Sequence, residues 1–186
     1  MGLFARALND LGRFLRDRFE GRFAGPVEAA ERSAVRLVEV LGGMPFYQDV
    51  QRYDELMVPL YKRAQLTAAD LALAFGGMGW GRFDDLDRLT IFADNLVPHV
   101  LRLDGILAYE PGLVDRIEAG ELILPGSPEE IEMRAVAVHA VERLGDALRS
   151  SGAAVTSMQL DYLLWNRGQQ PAYKARPRHR TRTVFY

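Results

Sequence analysis

Apolar residues recur at helical spacing along almost the whole chain, and this periodicity constrains the fold more than any other feature. The first twenty residues show it at intervals of three and four, in Phe4, Leu8, Leu11, Leu15 and Phe19. Such spacing places all of these side chains on one face of a helix. We therefore predict an amphipathic helix over about residues 2–20. Acidic residues interrupt its apolar stretch, which argues against a signal peptide.

Two further helices are bounded by proline and glycine. Pro26 is placed to open a helix that continues to Gly42 and Gly43, because proline suits the first helical position and glycine the end. A third helix is predicted over about residues 59–75, before the sequence GGMGWG. That sequence lacks the lysine of a phosphate-binding P-loop and follows a helix, so we predict a turn.

Two segments are less regular. Residues 44–59 are aromatic and bounded by prolines, a composition that allows a short pair of strands. Residues 83–103 are predicted as one helix leading into another, with a break near Pro98. The acids at the start of this segment are expected at a helix N-terminus, where negative charge is favourable.

The clearest helix start lies near residue 127. Ser127 is placed to cap, Pro128 fits the first helical position, and Glu130 stands where a capping-box acid would. A last helix is predicted over residues 156–168. With no repeat and no linker, the sequence predicts an all-α fold and a single helical domain over residues 1–186.

The types of residue present exclude several classes of site. The chain has no cysteine, which rules out disulfides, thiolate metal sites and a cysteine nucleophile. Its three histidines lack the spacing of a metal site, and no GxSxG nucleophile motif occurs. We expect neither a metal nor a cofactor. Candidate chemistry therefore reduces to carboxylates and basic residues in apolar surroundings.

Charge is distributed unevenly. Six of the 23 basic residues and none of the 25 acidic residues lie in residues 166–186, so the preceding part has a net charge of −8. A solvated end, a nucleic-acid arm and a docked phosphate-binding segment are all compatible with such a tail. Because the tail ends in apolar residues, we predict that residues 167–186 dock on the acidic body, with Phe185 and Tyr186 buried.

The same charge balance bears on partners. An acidic body argues against stable binding of nucleic acid, which depends on neutralising many phosphates. No apolar stretch is long enough for a transmembrane helix, so we expect no membrane partner and a cytoplasmic location.

The sequence IFADNLVP, residues 91–98, places one acid in an apolar segment. Asp94 is either a solvated or capping aspartate or a catalytic carboxylate at the mouth of a pocket. Asp161 in LDYLLW has the same character, and Lys62 is a cation on an otherwise apolar helix. An exposed polar face would also explain each of them. Half-buried carboxylates without metal ligands suit hydrolysis of an N-glycosidic bond, where positive charge develops on the sugar.

Six segments together resemble the queuosine salvage family, the queuosine 5′-phosphate N-glycosylases. Its patterns YKRAQ, LTxFADYRVPQ, GxLxY, GSxxEVEIR, DYxLW and HRxRxxxY are matched, the second in part, by residues 61–65, 89–99, 105–109, 126–134, 161–165 and 179–186. Two departures stand out. Asn95 and Leu96 replace the family's Tyr-Arg, and His99 stands where glutamine is usual. The family is also usually longer, with a further N-terminal region, so the match is to its C-terminal region.

The resemblance implies a fold similar to helix-hairpin-helix DNA glycosylases and release of queuine from queuosine 5′-monophosphate. It implies Asp94 as the catalytic carboxylate, beside Asn95, and Asp161 as a residue that recognises the base. Lys62, Arg180 and Arg182 are expected to meet the 5′-phosphate. The aromatic residues expected to stack on the base include Phe92 and Trp165, with Tyr61 and Tyr162 as further candidates.

Two other functions stay open at this point. One is binding of a modified nucleoside or a tRNA element without cleavage, which the departures at Asn95 and Leu96 favour. The other is a DNA glycosylase acting on a flipped base, against which the acidic body argues. Release of free base separates the first alternative from the enzyme, and salt-sensitive strand binding would support the second.

Overall fold

A computed structural model describes residues 2–186, which form nine α-helices and one pair of strands. The elements in chain order are α1 (Gly2–Phe19), α2 (Gly25–Ala29), α3 (Ala34–Leu41), β1 (Val50–Tyr53), β2 (Leu56–Pro59), α4 (Lys62–Ala74), α5 (Val97–Leu103), α6 (Pro111–Glu118), α7 (Pro128–Ser150), α8 (Ser157–Gly168) and α9 (Pro171–Lys174). The chain is therefore predominantly helical, as predicted. The prediction of an all-α fold is corrected by the strand pair.

Backbone contacts divide the chain into two compact units. Unit 1 contains the residues up to Asp49, Tyr61–Leu89 and Phe185. Unit 2 contains Val50–Leu60, Thr90–Val184 and Tyr186. The single domain inferred from the sequence stays a prediction.

In unit 1 the second predicted helix is two helices. α2 ends at Ala29 and α3 begins at Ala34, because Glu31 and Arg32 adopt left-handed backbone angles between them, with φ of 49° and 66°. Asp85 then caps α3, accepting hydrogen bonds from the Ala34 backbone N–H at 2.5 Å and the Ser33 hydroxyl at 2.6 Å. The acid expected to begin its own helix thus stabilises the start of another.

The strand pair of unit 2 lies within the segment where the sequence allowed one. β1 and β2 pair antiparallel, with Val50 opposite Pro59 and Tyr53 opposite Leu56. Asp54 supplies the left-handed residue of the connecting turn, with φ of 49°. The Tyr53 hydroxyl donates to Glu132, which ties this hairpin to α7.

α5, α7 and α8 enclose the main core of unit 2. Its fully or nearly fully buried side chains are Leu60, Ile91, Ala93, Val97, Val100, Leu101, Ala137, Val141, Leu160, Leu164 and Tyr173. Ser127 accepts from the Glu130 N–H at the start of α7, which confirms the predicted cap. Thr156 and Gln159 form a reciprocal capping box at the start of α8.

The helix predicted over residues 83–96 does not form. That segment contains only a short 3₁₀ turn, Leu86–Arg88, and the next α-helix begins at Val97, with Pro98 in its first turn. Pro98 therefore opens a helix rather than breaking one. Residues 90–96 form an irregular segment, which we call the Asp94 loop.

Residues 176–184 and Tyr186 pack within unit 2 and make specific contacts there. The Arg180 carbonyl accepts from the Ile123 N–H at 2.8 Å, and Arg180 forms a parallel bridge with Leu122. The Arg102 side chain donates to the Pro177 carbonyl at 3.0 Å. His179 is buried, whereas Phe185 and Tyr186 are only partly buried, which corrects the expectation of full burial.

Within residues 2–186, no helix is both long and apolar enough to cross a membrane.

Candidate active site

The Asp94 loop is held at successive positions by side chains from later parts of the chain. The Phe92 backbone N–H donates to Asp161 Oδ1 at 2.9 Å. The Ala93 carbonyl accepts from Arg134 Nε at 3.0 Å. The Asn95 side chain donates to the His179 carbonyl at 3.1 Å. These three bonds satisfy polar groups that an irregular, largely buried segment would otherwise leave unpaired.

Asp94 itself prepares the start of α5. Its Oδ1 atom accepts from the Leu96 N–H at 2.7 Å and from the Val97 N–H at 3.3 Å. The capping interpretation of this acid is therefore correct for one oxygen. The second oxygen, Oδ2, makes no hydrogen bond with residues 2–186, and the side chain is only half-buried. Asp94 thus has a fixed orientation and one oxygen available to a ligand.

A cavity of about 990 Å³ lies in unit 2 beside Asp94. It is large enough for a nucleotide. Its walls combine the Asp94 loop, α6, the end of α8 and the tail. They include five of the predicted site residues, namely Asp94, Asn95, Trp165, Arg180 and Arg182.

The other three predicted site residues lie elsewhere. Phe92 and Asp161 are buried and are not among the cavity-lining residues of the described chain, residues 2–186. Asp161 instead accepts the hydrogen bond of the Phe92 backbone N–H, and so it supports the Asp94 loop without lining the cavity. Lys62 begins α4 in unit 1, where its backbone N–H donates to Asp49 Oδ2 at 3.3 Å. Of the further stacking candidates, Tyr162 is largely exposed and Tyr61 is half-buried in unit 1.

One side of the cavity is strongly basic. Five cationic side chains of the C-terminal segment line it, namely Lys174, Arg176, Arg178, Arg180 and Arg182. Arg176 is paired with Glu118 at 2.7 Å. Arg180 and Arg182 have no ion pair within residues 2–186, so this side can attract an anionic group.

Two buried histidines near the cavity are uncharged at neutral pH. Burial lowers the pKa of His99, whose Nε2 donates to the Tyr173 carbonyl at 2.9 Å. Burial, together with the charge of Arg134, lowers the pKa of His179 to about 4. His99 lies where the resembling family usually has glutamine, and it lines the cavity. Neither histidine adds to the positive charge supplied by the arginines.

Four residues that support the loop were not predicted as site residues. Glu130 and Arg134 form a buried ion pair of 3.2 Å on α7. Glu130 Oε1 also accepts from the Tyr186 hydroxyl at 2.9 Å, and Oε2 from the Gly126 N–H at 3.1 Å. In a capping box, the carboxylate of Glu130 would accept from the backbone N–H of Ser127, the N-cap residue. It accepts from the Gly126 N–H instead, so the capping-box role expected for Glu130 is wrong. Tyr186 is the third of these residues. His179 is the fourth, because its backbone carbonyl accepts from the Asn95 side chain. The motifs at 126–134 and 179–186 were the only signal in the sequence for this cluster.

No group of three or more histidine, aspartate or glutamate side chains within residues 2–186 is arranged to hold a metal ion. The chemistry that this site offers is that of one oriented carboxylate, an amide, an indole and several cationic side chains, Arg180 and Arg182 among them.

Comparison with known proteins identifies close relatives. The family model described as "Queuosine salvage protein" matches residues 4–186, so the match extends well beyond the six motifs and includes α1. Curated proteins named queuosine 5′-phosphate N-glycosylase/hydrolase are 48% identical in Sphaerobacter thermophilus, 35% in Dictyostelium discoideum and 34% in Mus musculus. The alignments cover 98%, 97% and 97% of this chain, and 57%, 57% and 56% of the relatives. The chain thus spans less than two thirds of their length.

Proposed function

Because the chain belongs to the queuosine salvage protein family, we propose that it hydrolyses the N-glycosidic bond of queuosine 5′-monophosphate and releases queuine. The observation that carries the proposal is the geometry of Asp94. One of its oxygens is fixed by two backbone N–H groups, and the other is available at the wall of a nucleotide-sized cavity. A prepositioned carboxylate of this kind stabilises the positive charge that develops on the ribose.

The reaction replaces a carbon–nitrogen bond by a carbon–oxygen bond. The bond between the anomeric carbon and the base breaks, and a water oxygen bonds to that carbon. Asp94 accepts a proton from the water, the nitrogen of the departing base takes up a proton from solvent, and Asp94 then returns its proton to solvent, so that the sum of the steps is the addition of one water molecule. Because queuine is a 7-deazapurine, no ring nitrogen exists at position 7 for protonation. Stabilisation of the ribosyl cation therefore supplies much of the rate enhancement.

The basic side of the cavity suits the 5′-phosphate. Arg180 and Arg182 line the same cavity as Asp94 and can bind phosphate oxygens through paired N–H groups. Trp165 is partly exposed at the cavity and offers a face for stacking, while Asn95 lies next to Asp94. Contacts of Lys62, Phe92 and Asp161 with substrate stay predictions. The proposed likeness to helix-hairpin-helix glycosylases is supported by the predominance of helices alone.

The direct test is to incubate the chain with queuosine 5′-monophosphate and measure free queuine by chromatography. We expect Asp94→Asn to lower the rate by about a hundredfold or more, because loss of the charge costs about 3 kcal/mol of transition-state stabilisation. The fold should persist, since the asparagine oxygen can still accept from Leu96 and Val97. Asp115→Asn, at an exposed position of α6, is the matched control and should leave the rate unchanged.

The same experiment separates catalysis from binding. If calorimetry detects tight binding of the nucleotide but chromatography finds no free base, the chain is a binding module and the proposed hydrolysis is wrong. If the chain binds and cleaves, Arg180→Gln combined with Arg182→Gln should raise KM for the nucleotide more than for the dephosphorylated nucleoside. Equal effects on both substrates would remove these arginines from the phosphate site.

A further inference from the structure

Two sequence motifs are left without a role by the proposed reaction. GSPEEIEMR, residues 126–134, and HRTRTVFY, residues 179–186, supply the cavity with Arg180 and Arg182 but leave Glu130, Arg134 and Tyr186 unexplained. These three residues meet in unit 2 beneath the Asp94 loop. Glu130 and Arg134 are 2% and 0% exposed, which is rare for charged side chains.

The guanidinium group of Arg134 has partners in three directions. Its Nε atom donates to the carbonyl of Ala93, the residue directly before Asp94, at 3.0 Å. Its Nη1 atom donates to Glu130 Oε1 at 3.2 Å. The ring of Tyr186 lies against it, with the guanidinium carbon 4.6 Å from the ring centroid. The group is therefore fixed by a charge, a carbonyl and an aromatic face at once.

Tyr186 completes the arrangement from the other side. Its hydroxyl donates to the same Glu130 oxygen, at 2.9 Å, that receives Arg134. Burial raises the pKa of this hydroxyl, so it stays protonated and remains a donor. The carboxylate of Glu130 is thereby shared between the arginine and the tyrosine, and the tyrosine ring is held over the guanidinium group.

We propose that Arg134 is a positioning residue for Asp94, and that Glu130 and Tyr186 act by fixing its guanidinium group. The inference rests on the proposed hydrolysis for its catalytic consequence. Arg134 holds the carbonyl of Ala93, and the peptide bond of that carbonyl carries the backbone of Asp94. A small displacement of this peptide would move the carboxylate away from the anomeric carbon, and misplacement by about 1 Å can cost a hundredfold in rate.

Lysine cannot replace arginine in this role. A guanidinium group presents several N–H donors in one rigid plane, and Arg134 uses different ones for Ala93 and Glu130. An ammonium group would keep the charge beside Glu130 but lose the simultaneous bond to the Ala93 carbonyl. Arg134→Lys therefore removes the positioning contact with little change of charge.

The same helix offers a matched control. Arg149 donates to a carboxylate, Asp146, at 2.8 Å and to a carbonyl, that of Val155, at 3.1 Å. It thus has the same two kinds of partner as Arg134, but its carbonyl belongs to a segment remote in sequence from Asp94. Arg149→Lys makes the same chemical change without touching the Asp94 loop.

The first readout is catalytic. We expect Arg134→Lys to lower kcat by about ten- to a hundredfold with KM changed less than about threefold. Tyr186→Leu should also lower kcat, whereas Tyr186→Phe, which keeps the ring over Arg134, should restore most of it. Arg149→Lys should leave both constants unchanged. A normal kcat in folded Arg134→Lys, or a normal kcat in folded Tyr186→Leu, would overturn the inference.

The second readout does not need activity. The Leu96 and Val97 amides bond to Asp94, so their hydrogen exchange reports on its position. We expect both amides to exchange at least about tenfold faster in Arg134→Lys and Tyr186→Leu, while core amides of α7 stay protected. Unchanged exchange overturns the inference. If the unmodified chain releases no queuine, the proposed function fails, and exchange still decides whether Arg134 positions Asp94. Tyr186→Leu keeps the test usable if Arg134→Lys does not fold.

Discussion

Two irregular segments of similar length, residues 76–82 and the Asp94 loop, are held in place by different means. The first contains Gly76, Gly77 and Gly79, all with positive φ, and its backbone bonds are local, such as that from the Gly77 N–H to the Ala72 carbonyl at 2.8 Å. The Asp94 loop contains no glycine. Its partners Arg134, Asp161 and His179 lie 41, 69 and 84 residues from the groups they bind.

This difference explains why the sequence predicts the conformation of residues 76–82 but not that of the Asp94 loop. Glycine adopts left-handed angles without strain, so the turn at 76–82 is specified by its own residues. The Asp94 loop has apolar residues that suit a helix equally well, and it is kept irregular by distant side chains. The segment that carries the candidate site is therefore the one that local rules fail to predict.

The largest expected effect comes from removing the tail, which supports only one of the two segments. Truncation after Gln170 deletes Tyr173, His179 and Tyr186, which contribute buried area and the bonds to Asn95 and Glu130. We expect the melting temperature to fall by several degrees and most activity to be lost, because burial of such side chains is worth a few kcal/mol. Calorimetry and queuine release measure the two effects. Truncation after Thr183 is a milder control, which removes Tyr186 but keeps His179. A melting point that does not move would show the tail to be an appendage.

Asp161 provides the next test, because it supports the loop without lining the cavity. Asp161→Ala leaves the buried Phe92 N–H without this acceptor, and we expect a loss of about 1–3 kcal/mol in unfolding free energy. Asp161→Asn keeps an oxygen that can accept and should lose less. Urea denaturation measures both, with Asp70→Ala at an exposed position of α4 as the control. If Asp161→Asn retains full stability but loses affinity for queuine, Asp161 recognises the base as the sequence suggested.

Acid should weaken the support of the Asp94 loop. His179 has a pKa of about 4 in the folded chain against an ordinary value of 6.5, because burial disfavours its charged form. Between these values the unfolded chain binds the proton and the folded chain does not, so stability falls as pH falls from about 6.5 to 4. The loss is at most about 3 kcal/mol. Urea titrations at several pH values should show a shallower dependence for His179→Gln, which cannot take up this proton. Identical slopes would contradict the burial of a neutral His179.

The smallest effects come from a pair of glycine substitutions. At Gly77, with φ of +70°, an added methyl group meets nothing within 4 Å, so Gly77→Ala costs only backbone strain, about 1 kcal/mol. At Gly168 the methyl carbon would lie 2.8 Å from the Leu96 side chain and 3.0 Å from Val100. We expect similar stability losses in melting experiments, but reduced queuine release only for Gly168→Ala, because it displaces Leu96 beside Asp94. Equal rates of queuine release from the two variants would show that Leu96 can shift without disturbing Asp94.

Much of the fold followed from local signals. The helical spacing of α1, the cap at Ser127 and the helix predicted over residues 156–168 all depend on residues within a few positions of one another, and the structure confirms these three elements. It also shows Phe4 and Leu8 of the α1 stripe exposed, and a short helix α9 that the sequence did not predict. The break between α2 and α3 was missed, because left-handed angles at Glu31 and Arg32 have no glycine to announce them.

The candidate site was predicted only in part, because some of its residues have a local signal in the sequence and others do not. Asp94 stood out as a lone acid in an apolar segment, and Asn95, Arg180 and Arg182 were identified through motifs. Arg134 was missed, because an arginine on a long helix is usually solvated and nothing nearby in the sequence marks it as buried. Only the folded chain shows that its partner is a carbonyl 41 residues away.

The supports of the Asp94 loop all follow it in the chain, which has a consequence for biosynthesis. A ribosome releases the Phe92 and Ala93 positions well before Arg134 and Asp161, and the carbonyl of His179 comes 84 residues after Asn95. At roughly 5–20 residues per second, the loop waits about 4–17 s for its last partner. During that interval the loop lacks the three partners that hold its backbone in the folded chain. Translation speed over residues 96–179 therefore sets how long this segment waits for its supports, and slow codons there should lower the yield of folded protein.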